Sequence, residues 1–125
     1  MNVSMLRCKI HRATVTEANL EYEGSISICP DLIKKSGLLV NERVDIYNCN
    51  NGARLSTYVI VGKKGQICLN GAAARHAQAG DLVIICAYCG LDIEIAKNYV
   101  PRLVFVDRKN RAKKIKTSER HSTKS

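Results

Sequence analysis

Aromatic residues and long apolar runs are scarce in this sequence. Its 125 residues include no Trp, one Phe and five Tyr, although 46% are hydrophobic. Such a composition favours a soluble globular protein with a mostly aliphatic core. No apolar run reaches the length of a transmembrane helix, and residues 1–13 lack the apolar stretch of a secretory signal. The sequence therefore predicts one modest domain, located in the cytoplasm and without a membrane partner.

Acidic residues are nearly absent from the carboxyl-terminal end. Residues 108–125 carry eight Lys or Arg and one Glu, a net charge of +7, whereas residues 1–107 carry twelve basic and ten acidic residues, a net of +2. A polar segment of this charge is typical of a disordered, solvated tail. We therefore predict a folded domain over 1–107 and a basic, disordered tail over 108–125. A weak polyanion contact through the tail is the alternative, but the balanced charge of the domain disfavours nucleic acid as a partner.

A zinc-finger or redox framework has little support, although the chain has six cysteines. Cys86 and Cys89 form a Cys-x-x-Cys pair, but the sequence has no second such pair and no His at finger-like spacing after it. Structural zinc normally needs four ligands. We therefore predict no metal and reduced thiols, most of them buried as small apolar residues. A redox role for the Cys86–Cys89 pair stays open.

Short strand-like runs dominate the chain. Strands are predicted at 5–15, 42–49, 53–61, 66–70, 81–89 and 101–107, with a further extended pair, 18–24 and 25–28, around Gly24-Ser25. Short helices are predicted at 30–37 and 71–80. The Asn-Gly step at 51–52 is a strong tight-turn signal. Many short strands with two short helices indicate a small, mainly β barrel.

Several polar residues lie where a purely structural chain does not need them. Each has an ordinary explanation when taken singly, as a solvated strand charge, a surface histidine, a strand former, or the start of a helix. Gly24-Ser25 also has an ordinary explanation when taken by itself, because most Gly-Ser pairs are turns. The strand and loop candidates are Lys9, His11, Arg54, Thr57, Tyr58 and Asn70.

These residues lie in three sequence segments that, taken together and in this order, match one protein family. The segments are "KIHRATVTEANLEYEGS", "NERVDIYNCNNGARLSTYVI" and "LNGAAARHAQAGDLVII". Over roughly residues 5–106 the chain closely resembles the pyruvoyl-dependent aspartate 1-decarboxylases. The resemblance implies a double-psi β-barrel with short helices, assembled as a homotetramer with active sites between subunits. The basic tail falls outside the resemblance.

The resemblance also implies that the peptide bond between Gly24 and Ser25 is there to be broken. The Ser25 hydroxyl would attack the Gly24 carbonyl, and the resulting ester would eliminate and hydrolyse to leave a pyruvoyl group, the cofactor, at residue 25. Gly24 lacks a β-carbon and so lets its carbonyl approach the hydroxyl. Thr57 is the implied oxyanion donor. Self-processing could also need an accessory maturation protein.

In the implied reaction, L-aspartate loses CO2 to give β-alanine, a precursor of pantothenate and coenzyme A. The pyruvoyl ketone supplies the electron sink that no ordinary side chain provides. Tyr58 is the implied proton donor, and Arg54 offers a planar fork for a substrate carboxylate. The resemblance also implies that Lys9 and His11 contribute positive charge, and that the backbone N–H groups of Gly71, Ala72 and Ala73 bind the substrate. Asn70 is implied to hold the pyruvoyl end or an intermediate, and Tyr22 to shape the cleavage site.

Two alternatives remain beside this interpretation. One is a small basic barrel that binds nucleic acid through its tail, although the sequence has no RNA-binding aromatic ladder. The other is a relative that processes slowly and depends on a maturation partner.

Overall fold

The computed structural model describes residues 1–118, and residues 119–125 lie outside the described part of the chain. The elements alternate rapidly along the sequence, as the short apolar runs predict. The strands are β1 (Asn2–Thr14), β2 (Glu17–Asn19), β3 (Ser25–Ile28), β4 (Arg43–Asn48), β5 (Arg54–Val61), β6 (Ile67–Asn70), β7 (Leu82–Asp92), β8 (Arg102–Val106) and β9 (Ala112–Lys116). The helices are α1 (Pro30–Ser36), α2 (Ile93–Ala96) and a 3-10 helix, Gly71–His76.

The strands form one mixed sheet in the order β2-β6-β3-β5-β4-β7-β1-β8-β9. Parallel pairs join β1 with β8, β2 with β6 and β3 with β5, and the other neighbours are antiparallel. Strands far apart in this order contribute to the same core, since Ile26 and Ile67 belong to one buried cluster with Ile10 and Val104. The sheet therefore wraps around a single aliphatic core. The mainly β, barrel-like prediction is confirmed, and the double-psi connection stays an expectation.

Local sequence accounts for several boundaries. Helix α1 begins at Pro30, whose fixed φ suits a first helical turn, and it ends at Gly37, which adopts φ +83° as its C-cap. The β4–β5 connection turns at Gly52, with φ +76°. These features match the predicted helix and tight turn. Helix α2 was not predicted; the Asp92 carboxylate caps it by accepting a hydrogen bond from the Glu94 backbone N–H.

The predicted extended pair around Gly24-Ser25 is wrong as a pair. Strands β2 and β3 do not pair with each other: β2 is parallel to β6, and β3 lies between β5 and β6. Turn residues separate β2 from β3, so the two strands join the sheet on opposite sides of β6. This arrangement brings β6 alongside the residues that follow Gly24.

The predicted disordered tail over 108–125 is wrong for its first part. Strand β9 pairs antiparallel with β8, and Asn110, in the connecting turn, is buried. The Asn110 amide donates to the carbonyls of Thr14 and Gly65, each at 2.9 Å, and accepts from the Thr14 N–H at 2.7 Å. These bonds attach the hairpin to the barrel, a long-range effect that net charge does not reveal. The rest of the predicted tail, 119–125, lies outside the described residues.

Across residues 1–118, no helix is both long and apolar enough to cross a membrane.

Candidate active site

Ser25 begins β3 and is 2% exposed. Its neighbour in the antiparallel β3–β6 ladder is Asn70, which is fully buried. The Asn70 Nδ2 donates to the Ser25 Oγ across 2.9 Å, and the Ser25 hydroxyl donates to the Glu23 carbonyl at 3.2 Å. The hydroxyl next to the Gly24-Ser25 bond is therefore fixed by a side chain 45 positions away in sequence.

Two further buried side chains complete this group. The second N–H of Asn70 donates to the Ser27 Oγ at 3.0 Å, and its Oδ1 accepts from the Cys68 Sγ at 3.1 Å. Burial, with a smaller contribution from the nearby Glu17 carboxylate, raises the pKa of the Cys68 thiol, so the thiol keeps its proton at neutral pH. All hydrogen-bonding groups of the Asn70 side chain are thus satisfied.

The 3-10 helix Gly71–His76 begins directly against the segment before Ser25. Gly71 has φ +63°, and a β-carbon there would lie 2.6 Å from the Gly24 nitrogen, 2.7 Å from the Gly24 Cα and 2.8 Å from the Tyr22 carbonyl oxygen. Only glycine permits this approach. Ala73 is buried and Ala72 is exposed. The structure therefore brings Gly24, Ser25, Asn70 and Gly71 together within one protomer.

Tyr58 lies on the same face of the sheet as Ser25. Ile26 pairs with Val59 in the parallel β3–β5 ladder, and both are fully buried. The preceding residues, Ser25 and Tyr58, therefore lie together on the opposite face. The same alternation places Thr57 on the core-facing side, where it pairs with Val44. Within residues 1–118 no hydrogen bond joins the Thr57 hydroxyl to Gly24.

Arg54 belongs to the outer face but is distant from Ser25 in the same protomer. It precedes Tyr58 by four positions, about 13 Å along the strand. Its guanidinium lies 4.6 Å from the centroid of the Tyr47 ring, and the Tyr47 hydroxyl is hydrogen-bonded to that of Tyr88 at 2.9 Å. Burial, together with that hydrogen bond, raises the pKa of Tyr88. The Arg54 guanidinium thus makes a cation–π contact with the Tyr47 ring.

Lys9 and His11 lie on β1, four strands from β3 in the sheet order. At about 4.8 Å per strand this separation is about 19 Å. Lys9 is 8% exposed and pairs with Cys86. The His11 ring is 5.0 Å from that of Phe105. Along the sheet of one protomer, Lys9 and His11 are therefore separated from Ser25 by three intervening strands.

Sequence reasoning missed Ser27, Cys68 and Tyr47. The first two carry a readable signal, because Ser25 and Ser27 are two apart on β3 and Cys68 and Asn70 are two apart on β6, so each pair shares a face. The register that joins the pairs is a tertiary feature. Tyr47 gave no signal beyond that of an ordinary strand residue.

The Cys86–Cys89 pair is not arranged as a redox motif. Both residues lie on β7, where three positions span about 10 Å, and a disulfide needs Cα atoms within about 7 Å. All six cysteines are free. Among residues 1–118, no group of three or more His, Cys, Asp or Glu side chains is close enough to hold a metal ion.

The fold and the site define a small, mainly β protein with a Gly-Ser junction at which the glycine is exposed and the serine is buried. The chain belongs to the aspartate decarboxylase family, whose model, described as "Aspartate decarboxylase", matches residues 1–113. The match includes the β8–β9 turn, so the predicted limit of the resemblance near residue 106 is too short.

Curated relatives named "Aspartate 1-decarboxylase" are similar to this chain over nearly its full length. An "Aspartate 1-decarboxylase" of Bdellovibrio bacteriovorus is 69% identical over 124 residues, covering 99% of this chain and 100% of the relative. Proteins of the same name from Campylobacter hominis and Caldicellulosiruptor saccharolyticus are 58% and 54% identical, covering 90% and 98% of this chain and 98% and 97% of their own lengths.

Proposed function

We propose that this chain is a self-processing decarboxylase that converts L-aspartate to β-alanine and CO2, for pantothenate and coenzyme A synthesis. The observation that carries the proposal is the Ser25–Asn70 contact beside Gly24. It places a buried, oriented hydroxyl next to the bond to be cleaved, in a chain of the aspartate decarboxylase family. The relatives' names supply the substrate.

Maturation begins with attack of the Ser25 Oγ on the Gly24 carbonyl carbon. The peptide C–N bond between Gly24 and Ser25 breaks as the ester forms, and the Ser25 nitrogen takes up the proton that the hydroxyl loses. Elimination then separates Gly24, as a carboxylate, from residue 25, and water releases ammonia to leave a ketone there. Gly24 suits the attack because a residue without a β-carbon has more backbone conformations in which its carbonyl can approach the hydroxyl.

The residues present fit a pyruvoyl group at position 25. The Asn70 N–H already points at this side chain, and Gly71 leaves no β-carbon over the Gly24 backbone. A pyruvoyl group supplies a ketone that joins the substrate amine and accepts the electrons left by CO2. Tyr58, on the Ser25 face, is the proposed proton donor to the substrate α-carbon. Thr57 remains the proposed oxyanion donor for maturation.

Substrate binding is proposed to involve two subunits. Arg54 lies about 13 Å along β5 from Tyr58, Lys9 lies four strands from Ser25 in the sheet order, and side chains on the outside of a curved sheet diverge. A homotetramer with sites between subunits would let Arg54, Lys9 and His11 of one chain face residue 25 of another. The backbone of Gly71, Ala72 and Ala73 would then contact the substrate from the residue-25 side.

Mass spectrometry of the denatured full-length chain tests the proposal. The wild type should give two fragments that meet at Gly24-Ser25, the larger carrying an amino-terminal pyruvoyl group, together with β-alanine production from aspartate. Ser25→Ala should fold, remain uncut and lack activity. Ser36→Ala is the matched control, because it removes another buried hydroxyl, one bonded only within the α1 region, and should still be cleaved. A cleaved, active Ser25→Ala protein would defeat the proposal.

The nucleic-acid alternative and the maturation partner are tested separately. Removal of 108–125 is no longer a clean test, because it would delete β9 and Asn110. Removal of 119–125 deletes none of the described strands or helices; decarboxylation that survives this change favours the enzyme. If the purified wild type stays uncut until cell extract is added, an accessory maturation protein is required.

A further inference from the structure

The Asn70 amide could adopt two orientations, and only one of them presents N–H groups to Ser25. Rotation by 180° about the last side-chain bond exchanges Oδ1 with Nδ2 at almost no steric cost. The Ser27 hydroxyl does not decide between the two orientations, because a hydroxyl can either donate or accept. The Ser25 hydroxyl favours the N–H only while it donates to the Glu23 carbonyl. A neighbour that acts as a donor would fix the amide whichever way the hydroxyls turn.

Cys68 is the neighbour that distinguishes the orientations. A protonated thiol donates to an oxygen, whereas sulfur is a weak acceptor for an amide N–H. The Sγ–Oδ1 distance of 3.1 Å corresponds to that donation, and burial raises the pKa of Cys68 so that the proton is retained. With Oδ1 facing Cys68, both N–H groups are directed to the two serine hydroxyls.

We infer that Cys68 and Ser27 are positioning residues for self-cleavage, which hold the Asn70 amide so that one N–H meets the Ser25 Oγ. The inference rests on the proposed function. Cys68 sets the orientation of the amide, and Ser27 engages the second N–H, which keeps the amide plane aligned with Ser25. Neither residue touches the bond that is cleaved.

The direction of this N–H matters for the elimination step. The residue-25 Cα loses its proton to solvent water, the Cβ–Oγ bond breaks, and Oγ leaves as a carboxylate oxygen of Gly24. Negative charge therefore grows on Oγ, and a fixed N–H donor stabilises it. With the amide reversed, a carbonyl oxygen would face that charge and would oppose the step.

The test is the rate at which freshly purified full-length protein is cleaved at fixed temperature, followed by mass spectrometry. Cys68→Ala and Ser27→Ala should each be cleaved about 3- to 10-fold more slowly, the range that one neutral hydrogen bond accounts for. Cys68→Ser should be cleaved faster than Cys68→Ala, because its hydroxyl can donate to Oδ1, but more slowly than the wild type, because a hydroxyl can also accept from a reversed amide. Cys29→Ala is the matched control: it removes another buried thiol, 2% exposed, from the core.

The outcomes separate positioning from packing. Thermal unfolding should show comparable losses for Cys68→Ala and Cys29→Ala, while only Cys68→Ala slows cleavage. If Cys68→Ala is cleaved at the wild-type rate, the inference is overturned and the proposed function stays intact. The same holds if the wild type and Cys68→Ala are both completely cleaved at the earliest time point. Equal slowing in Cys68→Ser and Cys68→Ala also overturns it, because loss of thiol packing would then be the cause. A wild type that is never cleaved, even with cell extract, defeats both proposals.

Discussion

The position that a β-carbon on Gly71 would occupy is 2.6 Å from the backbone nitrogen of Gly24. No real β-carbon sits so close to a backbone atom, so one segment would have to move. The start of the 3-10 helix and the segment before Ser25 are therefore fitted to each other through two glycines.

Gly71→Ala should lower stability by about 1–3 kcal/mol and slow cleavage strongly, because the added methyl group displaces the Gly24 backbone. Gly80→Ala is the matched control. Gly80 also has a positive φ, +95°, but nothing lies within 4 Å of its missing β-carbon, so this variant carries the backbone strain without the clash. Thermal unfolding and mass spectrometry measure the two effects. Equal cleavage rates in the two variants would show that the contact with Gly24 is irrelevant.

Tyr58→Phe should be cleaved normally but turn over about 10²–10⁴-fold more slowly, since a phenylalanine cannot return a proton to the substrate. Turnover is measured per cleaved chain, with β-alanine as the product. Tyr99→Phe removes a phenol hydroxyl near Cys89, outside the site, and should turn over as the wild type does. Near-normal turnover in Tyr58→Phe would remove Tyr58 from its proposed role.

Asn110→Ala should reduce the free energy of unfolding by about 2–3 kcal/mol, because it removes three hydrogen bonds to partly buried backbone groups of Thr14 and Gly65. Asn41→Ala is the control, since Asn110 and Asn41 both have a positive φ, +61° and +73°, but Asn41 is exposed. Denaturant titration of both variants compares them under the same conditions. If both lose the same stability, backbone conformation alone explains the effect, and the three side-chain bonds contribute nothing.

Stability should fall as the pH rises above about 9. Burial raises the pKa of Cys8 from 9.0 to about 11, so between these values the unfolded thiol loses its proton while the folded thiol keeps it. Unfolding is then favoured by at most about 1.4 kcal/mol per pH unit. Cys8→Ala should flatten this part of the stability curve, whereas Cys49→Ala, at an exposed thiol, should not. Identical slopes in the two variants would contradict the assignment.

The sequence by itself determined the elements that depend on neighbouring residues. Pro30 and Gly37 marked the ends of α1, the Asn-Gly step marked the β4–β5 turn, and the apolar runs marked most strands. These signals are local, because backbone conformation and strand alternation act over a few residues. The order of the three quoted segments identified the family and therefore Ser25 as the residue of interest.

The tertiary structure decided what surrounds Ser25. The β3–β6 register brings Asn70, Ser27 and Cys68 into one hydrogen-bonded group, and a parallel pairing places Tyr58 on the same face. It also showed that residues predicted to be a tail form β9, held through Asn110. Such contacts join positions tens of residues apart, and they form only because wrapping one sheet around a shared core removes apolar surface from water. Local sequence patterns therefore do not predict which strands pair.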